Sequence, residues 1–382
     1  MESVTLAGNP WLVSCSPSGW LDHPSYFPIC TPHEILTSLV PPVTACPSPL
    51  RSLQTHQWVK LICGASYQDV TTIQSLATLY TLAGVDCIDV AADPAVVAVA
   101  RQGIAAAVAQ GSAPPWLMIS LNDSDDPHFR KASFDPAQCP PDCPRPCVNL
   151  CPTAAIQFPA SGPQGVIPQL CYGCGRCLTI CPLGHIVAQP HQTPPETLPR
   201  SFWQQVDALE IHTQTGRLRE FQQLWQRLQP YLGGLKLISI SCPDHDQVIS
   251  YLWDLYGTIS PLSLPLIWQT DGRPMSGDLG RGTTHATLRL AQKILAARLP
   301  GYVQLAGGTN PYTVTKMGEL GLWSNPDQPG PHPRRGVAGI AYGSYARHLV
   351  LSLEGDGAEA PVSEAALKKA RWLVSQLKYK NN

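Results

Sequence analysis

Two runs of four cysteines in the middle of the 382-residue chain are the residues with the clearest chemical capacity. The second run consists of Cys171, Cys174, Cys177 and Cys181. Its spacing is C-x₂-C-x₂-C-x₃-C, with Pro182 directly after it, and thiolates spaced in this way ligate [4Fe–4S] clusters. Two-residue gaps let one tight loop reach three iron corners, and Gly173 and Gly175 permit the backbone angles that such a loop needs. The run therefore predicts an iron–sulfur centre.

The first run has the same C-x₃-C-P ending but wider gaps before it, and it consists of Cys139, Cys143, Cys147 and Cys151. The intervening segment TAAIQFPASGPQGVIPQL has the pattern of a helix start, a strand, a turn and a second strand. Residues 136–190 thus resemble the bacterial ferredoxins that carry two [4Fe–4S] clusters. By that resemblance, Cys171, Cys174 and Cys177 share one cluster with Cys151, and the other cluster is held by Cys139, Cys143, Cys147 and Cys181.

Three other uses of these cysteines stay open at this point. Paired C-x₂-C motifs can bind zinc, although three evenly spaced cysteines plus a C-P, occurring twice, fit zinc poorly. Disulfides are a second alternative, and a single cluster instead of two is a third. The remaining cysteines are expected to be buried structural thiols, and they are Cys15, Cys30, Cys46, Cys63, Cys87 and Cys242.

The elements that must position this module are alternating strands and helices. Apolar runs separated by helical patterns predict parallel strands near 58–66, 85–93, 115–123, 206–213, 234–243, 264–272, 301–310 and 336–344. Eight such units predict a TIM-type (β/α)₈ barrel, with an open doubly wound sheet as the alternative. The cysteine module follows the third strand, so it leaves the face where barrels keep their active sites.

The predicted organisation has four parts. A Pro-rich arm covers residues 1–56, the barrel occupies 57–125 and 203–382, and the ferredoxin-like module occupies 136–192. The chain has fourteen cysteines. Only 14% of its residues are charged and its net charge is −1, so the composition describes a protein without the basic surface that nucleic acid requires. No apolar run is long enough to span a membrane, and no secretory signal precedes the first strand. We therefore expect a cytoplasmic protein in which thiols stay reduced.

The loops after the seventh and eighth strands predict a second site. In barrels these loops often bind a phosphate with backbone N–H groups. Here they contain the candidate ligand-binding residues Gly307, Gly308, Thr309, Gly343 and Ser344. The hydroxyls of Thr309 and Ser344 could donate to a phosphorylated ligand, with FMN the natural candidate beside iron–sulfur clusters. Alternatively, the glycines only make tight turns.

Other polar residues near predicted strand ends could serve as acid–base groups, and they are Asn122, Asp123, Glu210, His212, Asp271 and Arg273. Each could equally be a cap or part of a loop salt bridge. No nucleophile–base pair is evident from spacing, and His212 has no evident partner. Catalytic residues therefore stay unassigned, and the sequence also lacks a Rossmann fingerprint and a P-loop.

The segments WVKLICGASYQD and AGVDCIDVAADPAVV, followed by the cysteine module, resemble the cyanobacterial light-dependent period family from about residue 57 to the end. That resemblance implies an iron–sulfur protein that relays cellular redox state, and hence light, to the circadian clock. It implies clock input kinases and clock proteins as partners, a quinone or ferredoxin as electron partner, and a place in the cytoplasm or at the thylakoid surface. An electron-transferring oxidoreductase with a flavin or phosphorylated ligand, and a passive scaffold, are the competing hypotheses.

Overall fold

The computed structural model describes residues 48–64, 66–272, 280–323, 336–351 and 362–378. Most of the predicted arm lies outside these residues, as do Cys15, Cys30, Cys46 and Arg273. The strands, in chain order, are β1 (Trp58–Ile62), β2 (Cys87–Ala91), β3 (Trp116–Asn122), β4 (Arg130–Ser133), β5 (Ile156–Gln157), β6 (Gly165–Val166), β7 (Val187–Pro190), β8 (Ala208–His212), β9 (Leu237–Pro243), β10 (Leu266–Asp271), β11 (Tyr302–Ala306) and β12 (Val337–Tyr342).

Eight of these strands form a closed parallel barrel in the order β1-β12-β11-β10-β9-β8-β3-β2. The ring closes where β1 pairs with β12 on one side and with β2 on the other. The predicted barrel is therefore confirmed, with three strands before the insert and five after it. The open doubly wound sheet is wrong, because such a sheet would leave two unpaired edges.

The α-helices are α1 (Pro49–Gln54), α2 (Val70–Leu82), α3 (Pro94–Val108), α4 (Pro146–Leu150), α5 (Arg176–Ile180), α6 (Arg200–Trp203), α7 (Leu218–Leu228), α8 (Val248–Ile259), α9 (Thr284–Ala297), α10 (Tyr312–Glu319), α11 (Ser344–Leu351) and α12 (Glu364–Lys378). Sequence patterning missed α1 and α11. Helix α1 has Ser48 as its N-cap, followed by a proline in its first turn. Its Leu53 packs into the apolar cluster at the base of the barrel, so the last residues of the predicted arm are part of the barrel. Among the described residues, no helix is long and apolar enough to cross a membrane.

The barrel interior changes from apolar to polar along most of its strands. An apolar floor is formed with Leu53 by the first inward-facing residues, among them Trp58, Cys87, Met118, Ala208, Leu237 and Ile267. Side chains two positions further along a strand point to the same side. Those next positions carry buried polar groups, namely Lys60, Asp89, Ser120, Glu210, Ser239 and Gln269. The fold thus closes one end of the barrel with packing and puts charge in its middle.

The insert enters and leaves the barrel through one antiparallel ladder. Strand β4 pairs with β7, so that Arg130 lies opposite Pro190 and Ser133 opposite Val187. Between them lie α4, the hairpin of β5 and β6, and α5. The predicted ferredoxin-like insert after the third strand is confirmed. Its small core packs Ile156 and Ile186 with cysteines of both runs.

The junction between insert and barrel should loosen in acid, because it contains a half-buried neutral histidine. His191 donates its backbone N–H to the Phe129 carbonyl (2.9 Å), and its own carbonyl accepts from Asn122 (3.1 Å). Burial, with the nearby charge of Lys131, lowers the pKa of His191 to about 4. The unfolded state therefore takes up this proton first, and stability falls as the pH drops from about 6.5 towards 4.

Hydrogen exchange at residues 129–131 between pH 7.5 and 5 measures this effect. We expect protection to fall with pH in the wild type and to fall less in His191→Gln, which cannot take up a proton. The matched control is His245→Gln, which removes an exposed imidazole and should show the same pH dependence of protection as the wild type. Equal slopes in wild type and His191→Gln would contradict the assignment.

Candidate functional site

The eight predicted cluster ligands separate into two sets of four. One cavity is lined by Cys151 together with Cys171, Cys174 and Cys177. The thiol of Cys177 interacts electrostatically with the other three, while burial is the main cause that raises its pKa to about 12. This is the set that the ferredoxin resemblance implies for one cluster, since Cys151 comes from the other run.

The second set contains the remaining four cysteines. The thiol of Cys139 interacts with those of Cys143 and Cys181, and that of Cys147 interacts with those of Cys181 and Cys139. The fold produces this exchange symmetrically, because Cys151 is the C-cap of α4 and Cys181 is the C-cap of α5, so that each helix brings the last cysteine of its run to the partner run. Two sets of four thiols are a donor set that suits two iron–sulfur clusters.

Two glycines shape the second cysteine loop, as predicted. Gly173 and Gly175 have φ angles of +81° and +78°, in the left-handed region that other residues avoid. A Cβ on Gly173 would lie 2.2 Å from the backbone oxygen of Arg130, and one on Gly175 would lie 2.8 Å from the ring of Tyr67. The glycines therefore serve both the loop conformation and the close docking of the loop on its neighbours.

A buried tyrosine hydroxyl faces the set formed by Cys151, Cys171, Cys174 and Cys177. Tyr172 is 4% exposed, and its hydroxyl interacts with the thiol of Cys174 but has no nitrogen or oxygen partner among the described residues. A buried hydroxyl normally finds a partner, and sulfur at this site is the available acceptor. A hydrogen bond to sulfur stabilises the more negative, reduced state of an iron–sulfur centre and so raises its reduction potential.

Tyr172→Phe should therefore lower the potential of an iron–sulfur centre held by this set of cysteines. A differential hydrogen-bond contribution of about 1 kcal/mol corresponds to roughly 40 mV for one electron. Potentiometric titration followed by electron paramagnetic resonance (EPR) measures the shift, with Tyr256→Phe on α8 as the matched control. If both variants titrate like the wild type, the Tyr172 hydroxyl does not reach the centre.

The loop between β1 and α2 joins the cysteine module to the barrel mouth. The backbone N–H of Tyr67 donates to the Gly173 carbonyl (2.8 Å), and Asp69 pairs with Arg176 (2.8 Å). The hydroxyl of Ser66 bonds to the carbonyl of His128 (2.8 Å) at the root of the insert. Ser66 and Tyr67 also line the large cavity of the barrel mouth, so one loop contacts both sites.

The barrel mouth contains a cavity of about 320 Å³ that brings all five predicted ligand-binding residues together. Gly307 and Gly308 have φ angles of +66° and +90°, and a Cβ on Gly308 would lie 2.6 Å from the backbone oxygen of Thr283. The tight-turn interpretation therefore accounts for both glycines by itself. Gly343, which meets nothing closer than 3.7 Å, is not constrained in this way.

The two hydroxyls that were predicted to donate to a ligand differ in whether their protons are already used in hydrogen bonds. Thr309 donates its proton to the carbonyl of Ala341 (2.6 Å), so its hydroxyl does not offer a donor to a ligand, contrary to expectation. Ser344 starts α11, and its oxygen accepts from Arg347 (3.1 Å); its own proton has no acceptor among the described residues. Arg347 also donates to the Ile62 carbonyl (2.8 Å) and lines the cavity. This cation was missed because α11 was not predicted.

A buried ion network lies at the base of the cavity. The ammonium of Lys60 contacts Glu210 at 2.5 Å and Asp89 at 3.1 Å, and all three side chains are at most 3% exposed. Gln269 donates to Glu210 (2.7 Å), and Ser120 donates to Asp89 (2.7 Å). Burial alone would raise the pKa of Glu210, but the charges of Lys60 and His212 hold it well below its ordinary value.

His212 has two carboxylate partners that were not evident from the sequence. Its Nε2 lies 3.2 Å from Glu210, and its Nδ1 lies 3.4 Å from Asp126. Asp126 itself comes from the loop after β3 and was not singled out by sequence. Asn122 donates to the Ser124 carbonyl and Asp123 accepts from the Ser124 hydroxyl, so both side chains hold the loop that follows β3.

Comparison with known proteins finds two matching family domains. Residues 139–192 match the LdpA Fe-S cluster-binding domain, and residues 202–377 match the Light dependent period A C-terminal domain. A curated relative, "Light dependent period A" of Synechococcus elongatus, is 52% identical over 340 residues. That match covers 86% of this chain and 94% of the relative.

Among solved structures, (S)-3-O-geranylgeranylglyceryl phosphate synthase from Thermoplasma acidophilum matches with 12% identity and a TM-score of 0.41, covering 86% of this chain and 96% of that one. Tryptophan synthase from Mycobacterium tuberculosis matches with 11% identity and a TM-score of 0.40, covering 86% and 94%. At these scores neither structure bears on function, and the barrel assignment rests on the strand pairing itself.

Proposed function

Because the chain belongs to the light dependent period A family, we propose that it is an iron–sulfur protein that relays the redox state of a photosynthetic cell to its circadian clock. The observation that carries the proposal is the division of eight cysteines into two sets of four on one insert. Two [4Fe–4S] clusters bound there would supply reversible one-electron chemistry. The matched Fe-S cluster-binding domain supports an iron–sulfur cofactor.

The chain's own residues offer a route from the insert to the barrel. The Gly173 carbonyl holds the backbone of Tyr67, and Asp69 holds Arg176. Both contacts are made by the β1–α2 loop, which lines the barrel cavity with Tyr67 and Gln68. A change of charge at the cysteine loop therefore acts on a segment that is exposed to partners and ligands at the barrel mouth.

The electron partner in this proposal is a quinone or a ferredoxin, and the receivers of the signal are clock input kinases and clock proteins. The protein would work in the cytoplasm or at the surface of the thylakoid membrane, where the quinone pool is reduced in the light. The net charge of −1 does not favour nucleic acid as a partner. This makes a protein partner the more natural receiver.

An anaerobic titration against quinones of graded potential tests the electron partner. We expect the visible absorption of the centres to bleach and recover reversibly as the quinone ratio changes. The oxidised and reduced proteins are then compared for binding to a clock input kinase, and we expect their affinities to differ. A centre that no quinone or ferredoxin oxidises or reduces, or equal affinities in both states, would contradict the relay.

A second candidate function is an electron-transferring oxidoreductase with a flavin or another phosphate-bearing ligand in the barrel. The observation that favours it is the cavity itself, where Arg347, Ser344 and the Gly307–Gly308 turn surround space for an anion. The His212–Glu210 pair at the base of the same cavity could move protons.

Iron, sulfide and flavin measured on one anaerobic sample distinguish the two candidates. About eight irons per chain with bound flavin would favour the oxidoreductase, and Arg347→Gln should then release the flavin. About eight irons without flavin would favour the relay. Zinc in place of iron would contradict both.

A further inference from the structure

Three side chains meet at the barrel mouth in an arrangement that the iron–sulfur relay does not use. Asp126 and His128 lie in the loop between β3 and β4, and His212 is the last residue of β8. The Nδ1 of His128 lies 2.6 Å from one oxygen of Asp126, and the Nδ1 of His212 lies 3.4 Å from the other. One ligand atom of each residue lies within 4.8 Å of the others. Ligands about 2.1 Å from a common metal ion lie roughly 3 to 4 Å apart, so small shifts would suffice.

The ring of His212 is held in the orientation that a ligand needs. Its Nε2 lies 3.2 Å from Glu210, whose side chain is fully buried, and this contact leaves Nδ1 directed at Asp126. Histidines that bind metals almost always donate their other ring N–H to a carboxylate or carbonyl in this way. The Asp126 carboxylate is fixed as well, because it accepts the backbone N–H of His128 at 2.7 Å.

The charge around the three side chains favours a cation. Asp271, at the end of β10, interacts electrostatically with Asp126, His128 and His212. Together with Asp126, Asp89 and Glu210 it makes four carboxylates in and under this part of the cavity; Lys60 contacts two of them, and His212 contacts Glu210 and Asp126. Binding of a divalent ion at His212 would release the ring proton that these carboxylates stabilise, and the ion would take its place as their counter-charge.

We propose that Asp126, His128 and His212 form a binding site for a divalent first-row transition metal ion. Two histidines and one carboxylate suit such ions, and three protein ligands leave coordination positions open. His128 and His212 line the 320 Å³ cavity, so the open positions face the space that also contains Arg347. The ion would thus bind water or an oxygen atom of an anionic ligand held in that cavity. The site is separate from the cysteine module and does not depend on the relay.

Titration of the cluster-containing protein with Mn²⁺ tests the proposal. Free Mn²⁺ gives a six-line EPR signal at room temperature that is lost on binding, so the clusters do not interfere. We expect one saturable site per chain in the wild type. His128→Ala and Asp126→Asn should each weaken binding more than about 100-fold, beyond the effect of losing an outer-shell partner. Excess Zn²⁺ should displace the Mn²⁺.

The matched control is His245→Ala, which removes an exposed histidine that contacts only its own turn. It should bind Mn²⁺ like the wild type. Iron and sulfide are measured on every sample, so a variant that loses clusters is distinguished from one that loses only the Mn²⁺ site. Absence of saturable binding in the wild type, unchanged binding in both ligand variants, or an equal loss in the control would overturn the proposal and leave Asp126 as a salt-bridge partner of two histidines.

Discussion

Replacing Cys174 by serine should remove about half of the iron, leaving roughly four of eight atoms per chain, and should abolish the light dependence of the clock signal. Cys174 belongs to the set with Cys151, Cys171 and Cys177, and it also packs against the main core of the barrel. Loss of one thiolate would leave one iron of a cluster bound by that set without its protein ligand, whereas the other set keeps all four of its cysteines. The expected loss is therefore partial for iron and complete for a relay that runs through this set.

The matched control is Cys242→Ser, the same chemical change at a cysteine buried in the barrel. It should keep all iron. Iron and sulfide per chain measure the first part, and the circadian period of a cyanobacterial strain carrying each variant, recorded at several light intensities, measures the second. Full iron content in Cys174→Ser would show that Cys174 is not a ligand. Half the iron with an unchanged light response would leave the iron–sulfur site standing and contradict the relay.

The features that sequence predicted correctly are those encoded over short distances. The spacing of the second cysteine run and the positive φ of Gly173 and Gly175 are properties of one loop. The barrel followed from alternation of strands and helices, because each unit is recognisable by itself and eight units close a ring. The crossed grouping of the cysteines needed the ferredoxin resemblance, since no spacing places Cys151 beside Cys177.

Only part of the cavity lining could be predicted from sequence, because closure of the barrel brings together polar side chains that are far apart in the chain. Lys60 and Glu210 are 150 residues apart and meet only because both point inward from strands of one ring. Within their own strands, Lys60 and Glu210 are surrounded by apolar residues. The sequence pattern was therefore that of a buried strand, and it did not single out the two charges. Arg347 was missed for a different reason: α11 follows β12 after one residue, and Gly343 and Ser344 were predicted to lie in a ligand-binding loop, without a helix after it.

Replacing Lys60 by methionine should destabilise the protein by about 3–5 kcal/mol, because two buried carboxylates lose their counter-charge. Glu210 and Asp89 have side-chain exposures of 0% and 3%, and Lys60 contacts them at 2.5 Å and 3.1 Å. Ser239, Gln269 and His212 would still contact Glu210, but Asp89 would keep only the hydroxyl of Ser120, and a neutral donor does not replace an ammonium. Urea unfolding of the cluster-containing protein at pH 7, followed by circular dichroism, measures the loss.

The control is Lys293→Met, which removes an exposed partner of Asp244 at 2.7 Å and should cost at most about 1 kcal/mol. The difference between wild type and Lys60→Met should also depend on pH. The pKa of Glu210 lies below its ordinary value of 4.5 in the folded protein, so its contribution is present above that pH and is lost as the pH falls through the folded value. The penalty of Lys60→Met should therefore shrink in acid, where the stranded carboxylates can take up protons.

A double variant separates burial of charge from loss of packing. In Lys60→Met/Glu210→Gln one of the two stranded charges is gone, and Asp89 keeps the hydroxyl of Ser120 as a donor. We expect this variant to be more stable than Lys60→Met alone, since removing both partners of a buried pair costs less than removing one. If Lys60→Met is instead within 1 kcal/mol of the wild type, the carboxylates are protonated in the native protein, and Glu210 would then lack the charge that orients His212 at the barrel mouth.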